Sequence, residues 1–170
     1  MGNYIAFLRA VNVAGKNRLK MQDLRSLCET AGCREVRTVL QSGNVIFRAE
    51  KVPDLGRILE KALGVRPEVF YRKETQIRNI VNSEPFGDYP DISPSHQLVM
   101  FLENKISSVK LAKVKTEREV LWTLGREICI TFPDGIGRSK LSNQSIEKAL
   151  GVKGTMRNMN TLVKILAACE

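Results

Sequence analysis

The first apolar segment of the chain, residues 4–11, is almost continuous and contains several β-forming side chains. A run of this kind is typical of a central strand that is buried on both faces. After a polar loop, apolar side chains recur at positions 21, 24, 27, 28 and 31, which is helical spacing. Asp23 falls in the first turn of this helix, and Gly32 is placed to end it in the left-handed conformation.

The stretch LQSGNVIF predicts a β-hairpin, because Gly43 and Asn44 tolerate positive φ and lie between two β-forming segments. A helix with Asp54 as its N-cap and a further strand complete this half of the chain. The predicted elements after the first helix are strands at residues 36–40, 44–48 and 67–71 and a helix at residues 54–64. The order βαββαβ is that of the ferredoxin-like, or split βαβ, plait.

The second half repeats this pattern after a short helix at residues 75–82 and a segment rich in Pro, Asp, Ser and Gly at residues 84–95. Such a composition is typical of a linker. The predicted elements beyond it are strands at residues 98–102, 120–124 and 127–132, a basic helix at 107–115 and a helix at 141–150. A fourth strand near Thr155 is predicted to be short or lost, and Asn158 is expected to cap a terminal helix.

The two halves also share sequence, since the hexapeptide EKALGV occurs at residues 60–65 and again at residues 147–152. Weaker matches occur in the same order along both halves, which indicates an internal repeat. We therefore predict an α+β fold, a duplicated ferredoxin-like plait with a C-terminal helix. The predicted domains are a first half at residues 1–83, a linker at 84–95, and a second half with the terminal helix at 96–170.

The charge of the chain favours anionic partners, because 27 Lys and Arg side chains face 18 acidic ones, for a formal net charge of +9. The basic residues cluster at residues 9–20 and 105–126, although a solvated basic surface without a dedicated ligand explains them equally well. No apolar run approaches the roughly 20 residues of a membrane-spanning helix, and the N-terminus has no signal-peptide pattern. We expect a cytoplasmic protein that makes no membrane contact.

Metal and redox chemistry find little support in the sequence, which has one histidine, His96, and four cysteines at positions 28, 33, 129 and 169. These residues form no zinc-ligand spacing, and reduced, packed thiols are the expected state, so no metal and no cofactor is assigned. The nucleophile-elbow and zinc-protease motifs are absent. A P-loop is excluded because Ala10 and Asn17 replace its first glycine and its Ser or Thr. Whether the protein is an enzyme stays open.

A first anion-binding cluster is predicted from the topology of the plait. The loop after the first strand and the turn between the second and third strands emerge at the same end of the sheet. Backbone N–H groups near a helix start and basic side chains are the donors that anions require. The predicted cluster contains Arg9, Asn12, Lys16, Arg18, Ser42 and Asn44. The alternative is that the residues around Ser42 only form a turn.

Two further polar groups of residues lie in the second half. The glycine-rich loop at residues 134–140 leads into a helix, and its Arg138, Ser139 and Lys140 are predicted to bind an anion. Arg157 and Asn158 precede the terminal helix, and helix caps and turns are the alternative explanation for both groups. RNA-binding aromatic motifs are absent, so any nucleic acid is expected to be bound through its phosphates.

The segments FLRAVNVAGKNRLKM, LQSGNVIF and GRSKLSNQSIEKALGVKGTMRNMNTLVKI resemble a bacterial family catalogued as domain of unknown function 1697. The resemblance implies a duplicated ferredoxin-like α+β fold and brings no catalytic residue or cofactor with it. The functional hypothesis is therefore a protein that binds an anionic small molecule or a nucleic-acid backbone through basic loops. An enzyme that acts on a phosphorylated small molecule is the alternative, and the oligomeric state stays open.

Overall fold

The computed structural model of the chain describes residues 1–9, 11, 18–41 and 43–170. It divides into two compact units, which are considered separately below. The first unit contains Met1–Arg78 together with Lys164–Glu170, and the second contains Asn79–Val163. None of the helices in the described residues is long and apolar enough to cross a membrane.

The first unit is built around a four-stranded antiparallel sheet in the order β2-β3-β1-β4. Its elements are β1 (Gly2–Leu8), α1 (Met21–Thr30), β2 (Arg34–Val39), β3 (Asn44–Ala49), α2 (Leu55–Leu63), β4 (Val69–Lys73) and the start of α3 (Glu74–Asn82). Ala6 and Leu8 of the central strand β1 belong to the core with α1 and α2, whereas Ile5 and Phe7 on its other face are also fully buried. The predicted central strand therefore has two buried faces.

The second unit contains a sheet of the same topology, in the order β6-β7-β5-β8. Its elements are β5 (Gln97–Leu102), α4 (Ser108–Leu111), β6 (Val120–Leu124), β7 (Glu127–Thr131), α5 (Asn143–Leu150), β8 (Gly154–Asn158) and most of α6 (Met159–Ala167). All paired strands are antiparallel in this sheet as well. Two four-stranded sheets of equal order within the described residues confirm the predicted fold class, a duplicated α+β plait.

The two sheets also agree in register at an arginine, which is buried in the first sheet and half-buried in the second. In the first, Ile5 of β1 pairs with Arg72 of β4, and in the second, Val99 of β5 pairs with Arg157 of β8. Each arginine donates from Nη1 to the carbonyl oxygen of the residue before it, at 2.7 and 2.9 Å respectively. The repeat thus extends from the order of the strands to individual side chains.

The prediction that the last strand of the second half is short or lost was wrong, because β8 has five residues, as β4 does. Its sequence, Gly-Thr-Met-Arg-Asn, contains few β-forming residues, so the strand pattern is weak. A Cβ atom at Gly154 would come within 2.9 Å of the carbonyl oxygen of Phe101. Pairing with β5, rather than local propensity, therefore produces this strand.

The basic helix of the second half is shorter than predicted. The side chain of Ser107 caps α4 by accepting a hydrogen bond from the backbone N–H of Lys110 at 3.2 Å. Only Ser108–Leu111 is helical, and the following N–H groups of Lys113 and Val114 bond three residues back, which tightens the chain into a turn. The β-branched residues and repeated lysines beyond this point disfavour further helix.

Residues 84–95, for which the sequence predicts a linker, lie in the second unit. The ring of Tyr89 stacks on Trp122 of β6 with 5.4 Å between centroids, and Phe86 contacts the same indole edge-on at 5.2 Å. Gln97 donates to the carbonyl oxygen of Ile92 at 2.9 Å. These contacts attach the segment to the sheet of the second unit, and the predicted domain boundaries stay a prediction.

Candidate functional site

The end of β1 and the turn between β2 and β3 meet at one end of the first sheet. The N–H of Leu8 donates to the carbonyl oxygen of Gly43 at 2.8 Å, which joins strand end and turn directly. Gly43 has a φ of 78°, and a Cβ at this position would lie 2.9 Å from Cβ of Leu8. Only glycine satisfies both the positive φ and this close approach. The described part of the hairpin turn therefore lies beside the end of β1. Residues 12–17 lie outside the described residues, so their expected position beside the turn stays a prediction.

A groove with a volume of about 1020 Å³ opens at this end of the first unit. Its walls come from the start of α1, from the residues before it, from the hairpin turn and from the end of α2. Arg18 and Lys20 are exposed and supply the positive charge, whereas Leu19 is buried beneath them. The other described residues that line it are Met21, Asp23, Ser26, Leu27, Gln41 and Ala62.

The first turn of α1 contributes backbone donors to this end of the unit. Lys20 occupies the N-cap position in an extended conformation, and its side chain makes no capping hydrogen bond. By contrast, Asp54 caps α2 by accepting a hydrogen bond from the N–H of Arg57 at 3.0 Å, as predicted. The N–H groups at a helix start carry partial positive charge, so the start of α1 adds to the field of the two cations.

The residues predicted for the first anion-binding cluster have different surroundings. Arg9 donates to the carboxylate of Glu68 at 2.7 Å, and its backbone N–H bonds to the same residue's carbonyl oxygen. Arg18 is exposed at the groove. Asn12, Lys16 and Ser42 lie outside the described residues, so their membership of the cluster stays a prediction.

Asn44, the sixth member of that cluster, has a structural contact. Its side chain is fully buried and donates from Nδ2 to the carbonyl oxygen of Val39 at 2.9 Å, across the base of the hairpin. Among the described residues of the turn, Leu40 and Gly43 have positive φ and Asn44 does not, so Asn44 does not supply positive φ as expected. This hydrogen bond inside the hairpin gives the asparagine at position 44 a structural role.

The second predicted anion-binding group, in the loop before α5, contacts carboxylates of the chain itself. Lys140 pairs with Glu117 at 2.6 Å, and the hydroxyl group of Ser139 donates to Glu119. These contacts raise the pKa of Lys140 and lower the pKa of Glu119 relative to their ordinary values, through hydrogen bonding in each case. An incoming anion would therefore compete with these carboxylates. Arg138 is exposed, and within the described residues it makes no ion pair.

The third group lies at the end of β8. Arg157 donates to the hydroxyl oxygen of Thr155 at 2.8 Å, and burial lowers the pKa of its guanidinium to about 10, so it stays protonated at neutral pH. The carboxamide oxygen of Asn158 accepts from the N–H of Thr161 at 2.9 Å. Asn158 is thus the N-cap of α6, as predicted, and an anion-binding role for either residue stays a prediction.

The described residues offer little that would support metal or nucleophile chemistry. They contain no group of three His, Cys, Asp or Glu side chains close enough to hold a metal ion. Burial raises the pKa of the thiols of Cys28 and Cys129 to about 12, which makes both poor nucleophiles.

A family model described as a protein of unknown function, DUF1697, matches residues 1–128. The chain belongs to the DUF1697 family. The matched part contains the whole of the groove, whereas Arg138 and Arg157 lie beyond its end. The family assignment confirms the resemblance identified from the sequence motifs, and its description assigns no activity.

The solved structure of a conserved bacterial protein from Streptococcus pneumoniae is similar to this DUF1697 member over 99% of each chain, with a TM-score of 0.66. The two sequences are 20% identical, so this likeness shows the fold alone. No curated protein matches the chain in sequence.

The sequence analysis did not assign the groove residues on α1 and α2 to a site. Lys20, Asp23 and Leu27 recur at helical spacing and line the same groove, which is a signal present in the sequence. Ala62 lies on the other helix, and no local pattern relates it to the start of α1. Its position at the groove follows from the packing of α1 against α2.

Proposed function

We propose that this protein binds a phosphate-bearing anion in the groove at the start of α1. The observation that carries the proposal is the presence of two exposed cations, Arg18 and Lys20, at a groove of about 1020 Å³. Arginine forms paired hydrogen bonds to phosphate oxygens, and lysine adds a compact positive charge. The net charge of +9 further raises the local concentration of anions around the chain.

The surroundings of two other predicted anion-binding residues support this choice of site. Arg9 and Lys140 each contact a carboxylate within 2.7 Å, so an anion would have to replace an existing ion pair there. Exposed ion pairs contribute little to stability, yet they reduce the charge that a ligand experiences. The lining residues that the structure describes include Arg18 and Lys20 against a single carboxylate, Asp23.

An enzyme that acts on a phosphorylated small molecule is the second candidate function. The same groove supports it, because Asp23 lines it together with the cations and a carboxylate near a bound phosphate ester is a candidate general base. A nucleic-acid backbone would be a polymeric ligand for the first candidate function. A small anion and a nucleic acid differ in size, and an enzyme differs from both binding functions because it turns its ligand over.

The test compares two double variants. One carries Arg18→Ala and Lys20→Ala, and the other, the control, carries Lys113→Ala and Lys115→Ala. Both remove two positive charges from exposed positions, but the control changes the loop after α4 in the second unit. Binding of inorganic phosphate, tripolyphosphate and a labelled single-stranded oligonucleotide is measured by calorimetry and by thermal shift, because a ligand of the native state stabilises it.

We expect the groove variant to lose at least about tenfold in affinity for phosphate-bearing ligands, which corresponds to about 1.4 kcal/mol, and the control to lose far less. For the oligonucleotide, the dependence of affinity on salt should also flatten by about 0.7 units for each lost phosphate contact. Equal losses in the two variants would mean that only net charge matters, and the proposed site would then be wrong.

A further inference from the structure

The composition of the groove wall limits the kind of anion that fits it. Among the described lining residues, the positive charges are those of Arg18 and Lys20, at the start of α1. Along the same helix Leu27 lies seven residues after Lys20, which is about 10 Å at the rise of an α-helix. Met21 and Leu27 are half-buried and Leu19 is buried, so apolar side chains form part of the wall beyond the cations.

Two polar side chains along this wall, those of Asp23 and Ser26, present hydrogen-bond acceptors, and Gln41 adds a carboxamide with both donors and an acceptor. Asp23 presents a carboxylate, and Ser26 already donates its hydroxyl hydrogen to the carbonyl oxygen of Gln22 at 3.1 Å, which leaves its lone pairs available. Acceptors favour a ligand that carries N–H or O–H donors in its organic part. The carboxylate of Asp23 would repel a second phosphate placed beside it.

A nucleic-acid backbone is a poor match to this arrangement. A strand presents a phosphate at every nucleotide and requires a positively charged path along its length. Within the described residues, the lining offers cations at the helix start and then apolar side chains and a carboxylate. The volume of about 1020 Å³ instead lies at the upper end of the roughly 300–1,000 Å³ that small-molecule sites occupy.

We infer that the groove binds a mononucleotide-like phosphate ester, with its phosphate at Arg18 and Lys20 and its ring against Leu27 and Ala62. This inference rests on the proposed function and narrows it to a small ligand with one anionic end and one flat apolar end. The sugar hydroxyl groups and ring amino group of such a ligand supply the donors that Asp23 and Ser26 accept. Charge complementarity orients the ligand, and contact with the apolar wall supplies the additional affinity.

The experiment compares four probes by calorimetry: AMP, ribose 5-phosphate, inorganic phosphate and an oligothymidylate. We expect AMP to bind at least about tenfold more tightly than ribose 5-phosphate or inorganic phosphate, because only AMP has a ring for the apolar wall. The oligothymidylate should not bind more tightly per phosphate than inorganic phosphate does.

The variant Ala62→Trp fills the groove and leaves both cations in place. Ala62 is exposed on α2, so the larger side chain does not disturb the core. We expect this variant to lose the advantage of AMP while it keeps its affinity for inorganic phosphate. Ala112→Trp, at an exposed position in the second unit, is the matched control and should keep that advantage.

The outcomes separate this inference from the proposed function. If AMP binds no more tightly than inorganic phosphate, or if Ala62→Trp leaves its advantage unchanged, the nucleotide-like ligand is wrong. The proposed anion site survives in that case, provided that Arg18→Ala with Lys20→Ala still weakens phosphate binding. If none of the four probes binds to the unmodified protein, both the inference and the proposed function are wrong.

Discussion

Replacement of Asn44 by Ala distinguishes a structural asparagine from a ligand-binding one. The side chain is fully buried, and its Nδ2 donates to the carbonyl oxygen of Val39 at 2.9 Å. The variant Asn44→Ala removes this donor and leaves the carbonyl oxygen of the half-buried Val39 without that partner, which costs about 1–3 kcal/mol. Asn44→Asp should cost more, because the carboxylate is of similar size but lacks the donor and places a charge in a buried position.

Thermal unfolding followed by far-UV circular dichroism measures this loss of stability. A loss of about 2 kcal/mol lowers the melting temperature by about 4–8 °C if the whole chain unfolds together, and by about 8–16 °C if the first unit unfolds by itself. Trp122 is the only tryptophan and belongs to the second unit, so its fluorescence follows the unfolding of that unit separately. Asn104→Ala, at an exposed position, is the control and should change the melting temperature by less than about 2 °C.

Phosphate binding by the folded Asn44→Ala protein completes the test. Below the melting temperature of the variant, we expect the affinity for tripolyphosphate to stay within a factor of about two of the unmodified protein. A variant that melts normally but loses the anion would reverse this interpretation. Asn44 would then belong to the binding site, as the sequence analysis proposed, and its hydrogen bond to Val39 would be incidental.

Three further predictions concern other parts of the chain. Ser139→Ala should raise the pKa of Glu119 toward its ordinary value of 4.5. Since the native contact lowers that pKa, the part of the stability difference that depends on Glu119 should be full at neutral pH and be lost in urea titrations as the pH falls through 4.5 and then through the lowered pKa. The lost hydrogen bond from the N–H of Leu141 to the same hydroxyl group should cost stability at every pH. Gly154→Ala should destabilise the fold by more than about 1 kcal/mol, because the new Cβ meets a backbone oxygen at 2.9 Å, whereas Gly137→Ala meets nothing within 4 Å and should be nearly neutral in the same urea titrations. Cys28, whose pKa burial raises to about 12, should resist alkylation in the folded protein and react after unfolding, as mapped by mass spectrometry.

The order of the elements was predictable because each plait has strong local signals. The continuous apolar run of β1, the cap at Asp54 and the glycine at position 64, with a φ of 72°, all act over a few residues. The strand β8 was missed because its neighbours, not its own residues, determine it. Gly154 weakens a strand pattern, yet its missing side chain is what allows β8 to approach β5.

The candidate site was less predictable, because charge in a sequence does not reveal which charges are already paired. Arg9 and Lys140 have the same side-chain chemistry as Arg18 and Lys20, but their carboxylate partners are 59 and 23 residues away along the chain. Such pairs are formed by the tertiary fold, and no local pattern indicates them. Ala62 shows the reverse case. Its side chain has no functional group, and it lines the groove only because the fold places it there.

The first unit is made of two segments that are far apart in the sequence, and this has a consequence for synthesis on the ribosome. Its final segment, Lys164–Glu170, follows the whole of the second unit in the sequence, and Arg37 on β2 donates to the carbonyl oxygen of Ala168 at 2.5 Å. Chains emerge from the N-terminus at about 5–20 residues per second, and domains fold as they appear. A nascent chain that has reached residue 163 therefore contains every residue of the second unit. The first unit still lacks its last segment at that point, although its strands were synthesised earlier. The half that is synthesised first is the half that is completed last.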